Sequence, residues 1–107
     1  MAAYVIANIQ VTDPKAYEEY RSRVPPIIAA HGGRYLVRGG RVEPLEGDAP
    51  PERVVVLEFP DMAQLMAFYR SAEYRPLIAI RQRSSRSRLI AVEGIPALTS
   101  GGGEPLC

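Results

Sequence analysis

Apolar and polar positions alternate along residues 4–11, with Val5, Ile6, Ile9 and Val11 supplying β-branched side chains. That period predicts a first strand. Thr12-Asp13-Pro14 follows. Asp13 can cap a helix, and Pro14 suits the first helical position, where its missing N–H costs nothing. Tyr17 and Tyr20 lie three apart and set one face of that helix. Pro25-Pro26 interrupts it, because Pro25 disfavours helical geometry at Val24. A kink, or a restart into Ile27-Ile28-Ala29-Ala30, is expected. His31-Gly32-Gly33 ends the helix, with Gly32 able to take the left-handed terminal conformation. Residues 34–38 read as a second strand, with a bulge at Gly39-Gly40 and a continuation toward Glu43. Residues 44–51 hold Gly47-Asp48 and Pro50-Pro51 and read as the hairpin loop. Residues 53–59 (RVVVLEF) form the clearest strand. Asp61, with Gln64 three residues on, starts a second helix on which Leu65, Phe68, Tyr69 and Ala72 recur at helical spacing. Residues 71–76 break the pattern, residues 77–80 add one or two helical turns, and residues 88–93 give a fourth strand.

The order βαββαβ, with right-handed crossovers, predicts an α+β fold of the ferredoxin-like, split βαβ kind. Its four-stranded antiparallel sheet carries both helices on one face. The domain is expected to span residues 1–95. Residues 96–107, with Pro96, Gly101-Gly102-Gly103 and Pro105, read as a flexible C-terminal tail.

Alternation also sorts the strand residues by face. Val5, Ala7, Ile9 and Val11 share one face of the first strand, and Tyr4, Ile6, Asn8 and Gln10 the other. In the third strand Val55, Leu57 and Phe59 oppose Val54, Val56 and Glu58. Two helices cover one face, so the other would leave Ile6, Val54 and Val56 in water. Contiguous patches of that kind usually mark an interface. A homodimer through the sheet face is therefore expected.

Composition narrows the function only by exclusion. The chain has 107 residues, enough for one core, and a formal net charge of +1, so no global field steers it toward nucleic acid or an acidic membrane. No stretch is long and apolar enough to span a bilayer, and no secretory signal is expected, since Met1-Ala2-Ala3-Tyr4 lacks a basic region. Cys107 is the only cysteine, which makes a reducing, cytoplasmic setting the expectation and leaves no zinc cluster or iron–sulfur ligand set. The RNA-recognition motif shares the strand order but stacks bases on aromatics of its third strand, and residues 53–59 lack that platform. Gly32-Gly33 and Gly39-Gly40 are not in the strand-to-helix context of a dinucleotide fingerprint.

A spaced set of residues carries a resemblance. It comprises Asp13-Pro14 with Tyr17 and Tyr20, then residues 32–40 (GGRYLVRGG), Glu46-Gly47, Glu58-Phe59-Pro60, Phe68-Tyr69-Arg70-Ser71, Glu73-Tyr74, Arg81 and Val92-Glu93-Gly94. On these the chain resembles the family called domain of unknown function 1330, within the dimeric α/β-barrel superfamily. The resemblance implies two ferredoxin-like subunits whose sheets face each other, with helices outside. It also implies a range of relatives that includes cofactor-independent monooxygenases acting on polyaromatic substrates, haem-degrading monooxygenases and lactone isomerases. It supplies no catalytic residues.

Candidate chemistry is then read from the residues. His31, the only histidine, can serve as a general base or haem ligand; at a helix C-terminus it can equally cap free carbonyls. Tyr17, Tyr20, Tyr69 and Tyr74 can line the space between helices and sheet and orient an aromatic ligand, or serve as core residues. Glu58 falls on the mixed face with Asn8, and an Arg38–Glu58 pair across the sheet is expected. If Arg38 instead lines a cavity, it can hold a substrate carboxylate. Residues 81–88 (RQRSSRSR) read as a solvated turn, except that Arg81 follows Leu77 and Ile80 in helical phase and can point inward. Catalytic candidates are His31, Glu58 and Tyr69; substrate-binding candidates are Tyr17, Tyr20, Arg38, Tyr69, Tyr74 and Arg81. No metal or organic cofactor is expected. Two functions follow: a monooxygenase- or isomerase-like enzyme for a small hydrophobic or aromatic molecule, or a non-catalytic ligand-binding or dimerisation module.

Overall fold

The computed structural model describes residues 1–48 and 52–96. The tail from residue 97, with Cys107, and Pro50-Pro51 of the hairpin loop lie outside the described residues. The order is β1 (Ala3–Val11), α1 (Pro14–Ala30), β2 (Arg34–Arg38), β3 (Arg53–Phe59), α2 (Met62–Tyr69), α3 (Arg75–Ser84) and β4 (Ser85–Glu93). The strands form one sheet in the order β2-β3-β1-β4, with every neighbouring pair antiparallel. This is the ferredoxin-like arrangement, with the second crossover split into two helices.

The predicted caps are present. The Asp13 carboxylate accepts the Ala16 N–H at 3.1 Å, and the Asp61 carboxylate accepts the Gln64 N–H at 2.8 Å. Each satisfies a donor that the first helical turn leaves free. The covered face follows the alternation: Ala3, Val5, Ala7 and Ile9 of β1 and Leu57 and Phe59 of β3 are all buried. They join Tyr17, Tyr20, Val24 and Ile28 of α1, Leu65 and Phe68 of α2, and Leu77 and Ile80 of α3 in one core.

Four local expectations need correction. Helix α1 runs unbroken through Pro25 and Pro26, because packing of its apolar face outweighs the local cost of the prolines. The β-bulge lies between Tyr35 and Val37 rather than at Gly39-Gly40, and β2 stops at Arg38. Helix α3 continues four residues past Ile80, and β4 begins at Ser85 with no loop between. Residues 81–88 are therefore not a solvated turn. Buried Ser84 and Ser85 make the junction: the Ser84 carbonyl accepts the Thr12 and Asp13 N–H groups at 2.9 and 3.0 Å, and the Ser85 hydroxyl donates to the Arg81 carbonyl at 2.6 Å.

The face without helices carries an apolar row across all four strands. Val37 pairs with Val56, Val56 with Ile6, and Ile6 with Ile90. Ile90 is 57% exposed.

Candidate functional site

Helix α1 presents Tyr17, Tyr20, Arg21, Val24 and Ile28 on one side, the spacing of a single helical face. Between that face, the sheet and the α2–α3 segment lies a cleft whose cavity is ≈ 40 Å³. Its floor is Val5, Ala7, Ile9, Val55 and Leu57, and its far wall is Phe68, Tyr69, Tyr74 and Arg81. Aromatic rings chain along this wall, with centroids 5.2 Å apart for Phe59 and Phe68, 4.4 Å for Phe68 and Tyr74, and 5.8 Å for Tyr69 and Tyr74.

A polar cluster sits at the inner end. The Tyr20 and Tyr74 hydroxyls share a hydrogen bond of 2.8 Å, and Arg81 Nη1 donates to the Tyr74 hydroxyl at 2.7 Å. Arg81 is only 3% exposed. Its Nε has no hydrogen-bond partner, and no carboxylate among the described residues pairs with it. Burial first, and then the neighbouring Tyr74, pushes the Tyr20 phenol well above its ordinary pKa. Burial likewise raises Tyr74, against the pull of Arg81. For Arg81, burial works against the charge, while the Tyr74 and Tyr20 oxygens act the other way and leave the net shift upward. At neutral pH this is a buried cation facing two neutral phenols, with no counter-ion among the described residues.

The outer end holds Arg38 and Arg53. The bulge in β2 moves Arg38 out of phase with Arg34, so Arg38 pairs with Val55 on the covered face while Arg34 pairs with Glu58 on the open one. The expected Arg38–Glu58 pair is therefore absent. Glu58 is instead held by Arg34 at 2.7 Å, with the Tyr4 hydroxyl at 3.3 Å. Arg38 donates to the Arg21 carbonyl at 3.1 Å. That carbonyl is free because Pro25, four residues on, has no N–H to donate to it. The interrupting proline thus supplies the anchor for Arg38. Arg53 enters from the end of β3, and a Cβ at Gly39 would collide with its guanidinium, so Gly39 (φ 69°) leaves the space it occupies. Arg53 Nε is buried without a partner.

Of the sequence candidates, Tyr17, Tyr20, Arg38, Tyr69, Tyr74 and Arg81 all line the cleft. His31 does not. Its Nδ1 lies 2.9 Å from the Ile27 carbonyl and its ring meets Phe68 edge-on, so it caps α1. Glu58 lies on the opposite side of the sheet. Among the described residues the cleft is lined by no histidine and no carboxylate, and no cluster of His, Cys, Asp or Glu is able to hold a metal ion. Sequence reasoning passed over Arg21, Tyr35 and Arg53. The signals were available: Arg21 is in phase with Tyr17 and Val24, and Arg53 shares the parity of Val55, Leu57 and Phe59.

No helix among the described residues is long and apolar enough to cross a membrane. No curated protein matches the chain in sequence. Solved structures show the fold. A protein of unknown function from Rhodopseudomonas palustris, RPA0582, superposes with a TM-score of 0.72 at 18% identity, over 90% of this chain and 84% of that one. SnoaB, a cofactor-independent oxygenase from Streptomyces nogalater, superposes with a TM-score of 0.59 at 13% identity, over 92% and 98%. A putative antibiotic biosynthesis monooxygenase from Bacteroides thetaiotaomicron gives 0.52 at 16% identity, over 97% and 96%. Residues 2–95 match the family described as domain of unknown function DUF1330, and the chain belongs to that family.

Proposed function

We propose that the chain acts as a homodimer joined through the open sheet face, and that its cleft takes up a small aromatic or hydrophobic molecule in anionic form for cofactor-independent, monooxygenase- or isomerase-like chemistry. The observation that carries this reading is Arg81, a buried cation at the inner end of an aromatic-walled cleft, paired with no carboxylate among the described residues. An unpaired buried charge is costly unless something completes it. An oxyanion on a ligand, bound by Arg81 and the Tyr20–Tyr74 pair, does so. The same groups stabilise negative charge that develops on a substrate oxygen, the arrangement that accelerates enolate chemistry.

Among the described residues the cleft has no base to form that anion. Tyr20 and Tyr74 hold their protons too firmly to accept one from a substrate. The substrate therefore arrives ionised or ionises easily, as polyphenols and 1,3-dicarbonyl compounds do. Such an anion is electron-rich enough to react with dioxygen directly. Ligand binding widens the cleft, since ≈ 40 Å³ is far below the roughly 300 Å³ that small-molecule pockets commonly offer. The missing base also favours a second reading, a carrier that holds such an anion without transforming it.

Dioxygen uptake with a dihydroxyanthrone as substrate tests the two. The enzyme consumes dioxygen in proportion to turnover, and Arg81→Met abolishes that consumption while the chain stays folded. Binding with neither dioxygen uptake nor an isomerised product assigns the carrier role. Failure to bind any ionisable polyaromatic compound overturns both.

A further inference from the structure

The cations at the outer end of the cleft have no task in the chemistry described above. Arg21 is already neutralised, since its Nε and Nη2 both donate to the Glu18 carboxylate at 3.0 Å. The Arg21 hydrogen bond holds the Glu18 carboxyl below its ordinary range, and Arg38 and Arg53 add to that pull, so all four groups share one neighbourhood. Among the described residues, one carboxylate against three guanidiniums leaves two cations without a salt bridge.

Both are held in place by contacts that leave donors free. Arg38 lies over the Tyr35 ring at 4.6 Å, with one amino group on the Arg21 carbonyl that Pro25 leaves open. Arg53 lies near the Tyr17 ring at 5.9 Å and fills the space left by Gly39. Neither forms a salt bridge among the described residues, and Arg53 Nε is buried and unsatisfied. Guanidiniums held against aromatic rings, Arg38 by a backbone carbonyl and Arg53 in the space beside Gly39, are preorganised for planar, bidentate acceptors. Solvated arginines that merely repel each other would not bury a donor atom or require a left-handed glycine beside them.

We propose that Arg38 and Arg53 form a carboxylate-binding subsite at the mouth of the cleft, so that its ligand is an aromatic acid. The apolar body lies on the sheet between α1 and α3, the carboxylate meets the outer pair, and an ionisable oxygen reaches Arg81. Pro25 is a positioning residue, acting through Arg38. This rests on the reading of the cleft as a ligand site.

The test is an NMR titration of the full chain with 2-naphthoate and its neutral isostere 2-naphthamide, following the Nε–H signals of the arginines. The expected result is binding of naphthoate at least about tenfold tighter than naphthamide, in keeping with a hydrogen-bonded charge pair. Arg53→Met and Arg38→Met each remove most of that preference, weakening naphthoate far more than naphthamide. Pro25→Ala narrows the preference while the backbone spectrum shows an intact helix. Equal affinity of the two compounds for the unaltered chain, or a preference that survives both methionine variants, overturns the carboxylate subsite and leaves the cleft reading standing. A third ligand, 2-naphthyl phosphate, binding more tightly than naphthoate reassigns the mouth to phosphate and overturns the carboxylate assignment. If neither naphthalene compound perturbs the cleft, the subsite and the cleft reading fall together.

Discussion

The two faces of the sheet are made from the same kinds of residue and have opposite fates. On the covered face Val5, Ile9, Leu57 and Phe59 are between 1% and 6% exposed. On the open face the row Val37–Val56–Ile6–Ile90 is equally apolar, yet Val37 is 39% and Ile90 57% exposed. Charge is inverted to match. The open face carries a compensated ion pair, Arg34–Glu58, while the covered side buries Arg81 with no carboxylate among the described residues. Taken alone, the subunit leaves apolar surface in water and a cation in the interior. In the proposed reading two different occupants would resolve the two anomalies, a second sheet covering the first and an anionic ligand answering the second.

The sharpest contrast is in packing. Phe59→Ala removes a side chain that is 1% exposed and stacked 5.2 Å from Phe68. Its expected cost is about 3–5 kcal/mol in urea denaturation at fixed protein concentration. Ile90→Ala on the open face should cost under about 1 kcal/mol in a dilute, dissociated sample and markedly more where copies pair. A concentration-independent result for Ile90→Ala would break the proposed role of that face.

Ile6→Asp tests the interface at its centre, because β1 is an interior strand and Ile6 sits between Val56 and Ile90. A buried, unpaired carboxylate at each copy should weaken association by more than about a hundredfold. In analytical ultracentrifugation the unaltered chain should sediment as a dimer at micromolar concentration and the variant as a monomer. An unaltered chain that sediments as a monomer refutes the pairing.

Much of this comparison is legible in the sequence, and the lapses have physical causes. Alternation in β1 and β3 sorts the faces because each strand packs one side against helices. Asp13 and Asp61 are readable as caps because capping is local chemistry. Arg81 is readable as inward because α3 keeps phase from Leu77. The Arg38–Glu58 pair fails because one extra residue near Leu36, with no glycine to mark it, reverses parity along β2. Gly39 is a true signal read for the wrong purpose: it makes room for a guanidinium from a different strand. Pro25 is a similar case. Locally it argues for a break, and only the tertiary packing shows its free carbonyl partner in use.

Arg81→Met replaces the buried cation by an apolar side chain of similar length. The Tyr20–Tyr74 hydrogen bond remains, and no counter-ion is orphaned. The empty chain should therefore be unchanged or stabilised by about 1 kcal/mol, while affinity for anionic ligands falls. A large destabilisation would show that Arg81 serves the fold rather than a ligand.

The smallest effect at ordinary pH comes from the phenols that face Arg81. Tyr20 and Tyr74 both titrate above the free value of 10.0 in the folded chain, mainly because burial penalises the phenolate. Below that value both states keep the protons, and pH has no leverage through these groups. Above it the unfolded chain releases protons that the folded chain retains, so stability falls as pH rises, by up to about 1.4 kcal/mol per pH unit for each phenol. Urea midpoints should be level through neutrality and drop only in the alkaline range. Tyr20→Phe should make the drop shallower, because one fewer buried phenol then contributes beside Tyr74 and the half-buried Tyr35. The near-ultraviolet phenolate signal should rise in two stages, with the buried pair appearing only as the chain unfolds. A single early stage would place both hydroxyls in water and detach the polar cluster from the covered side of the sheet.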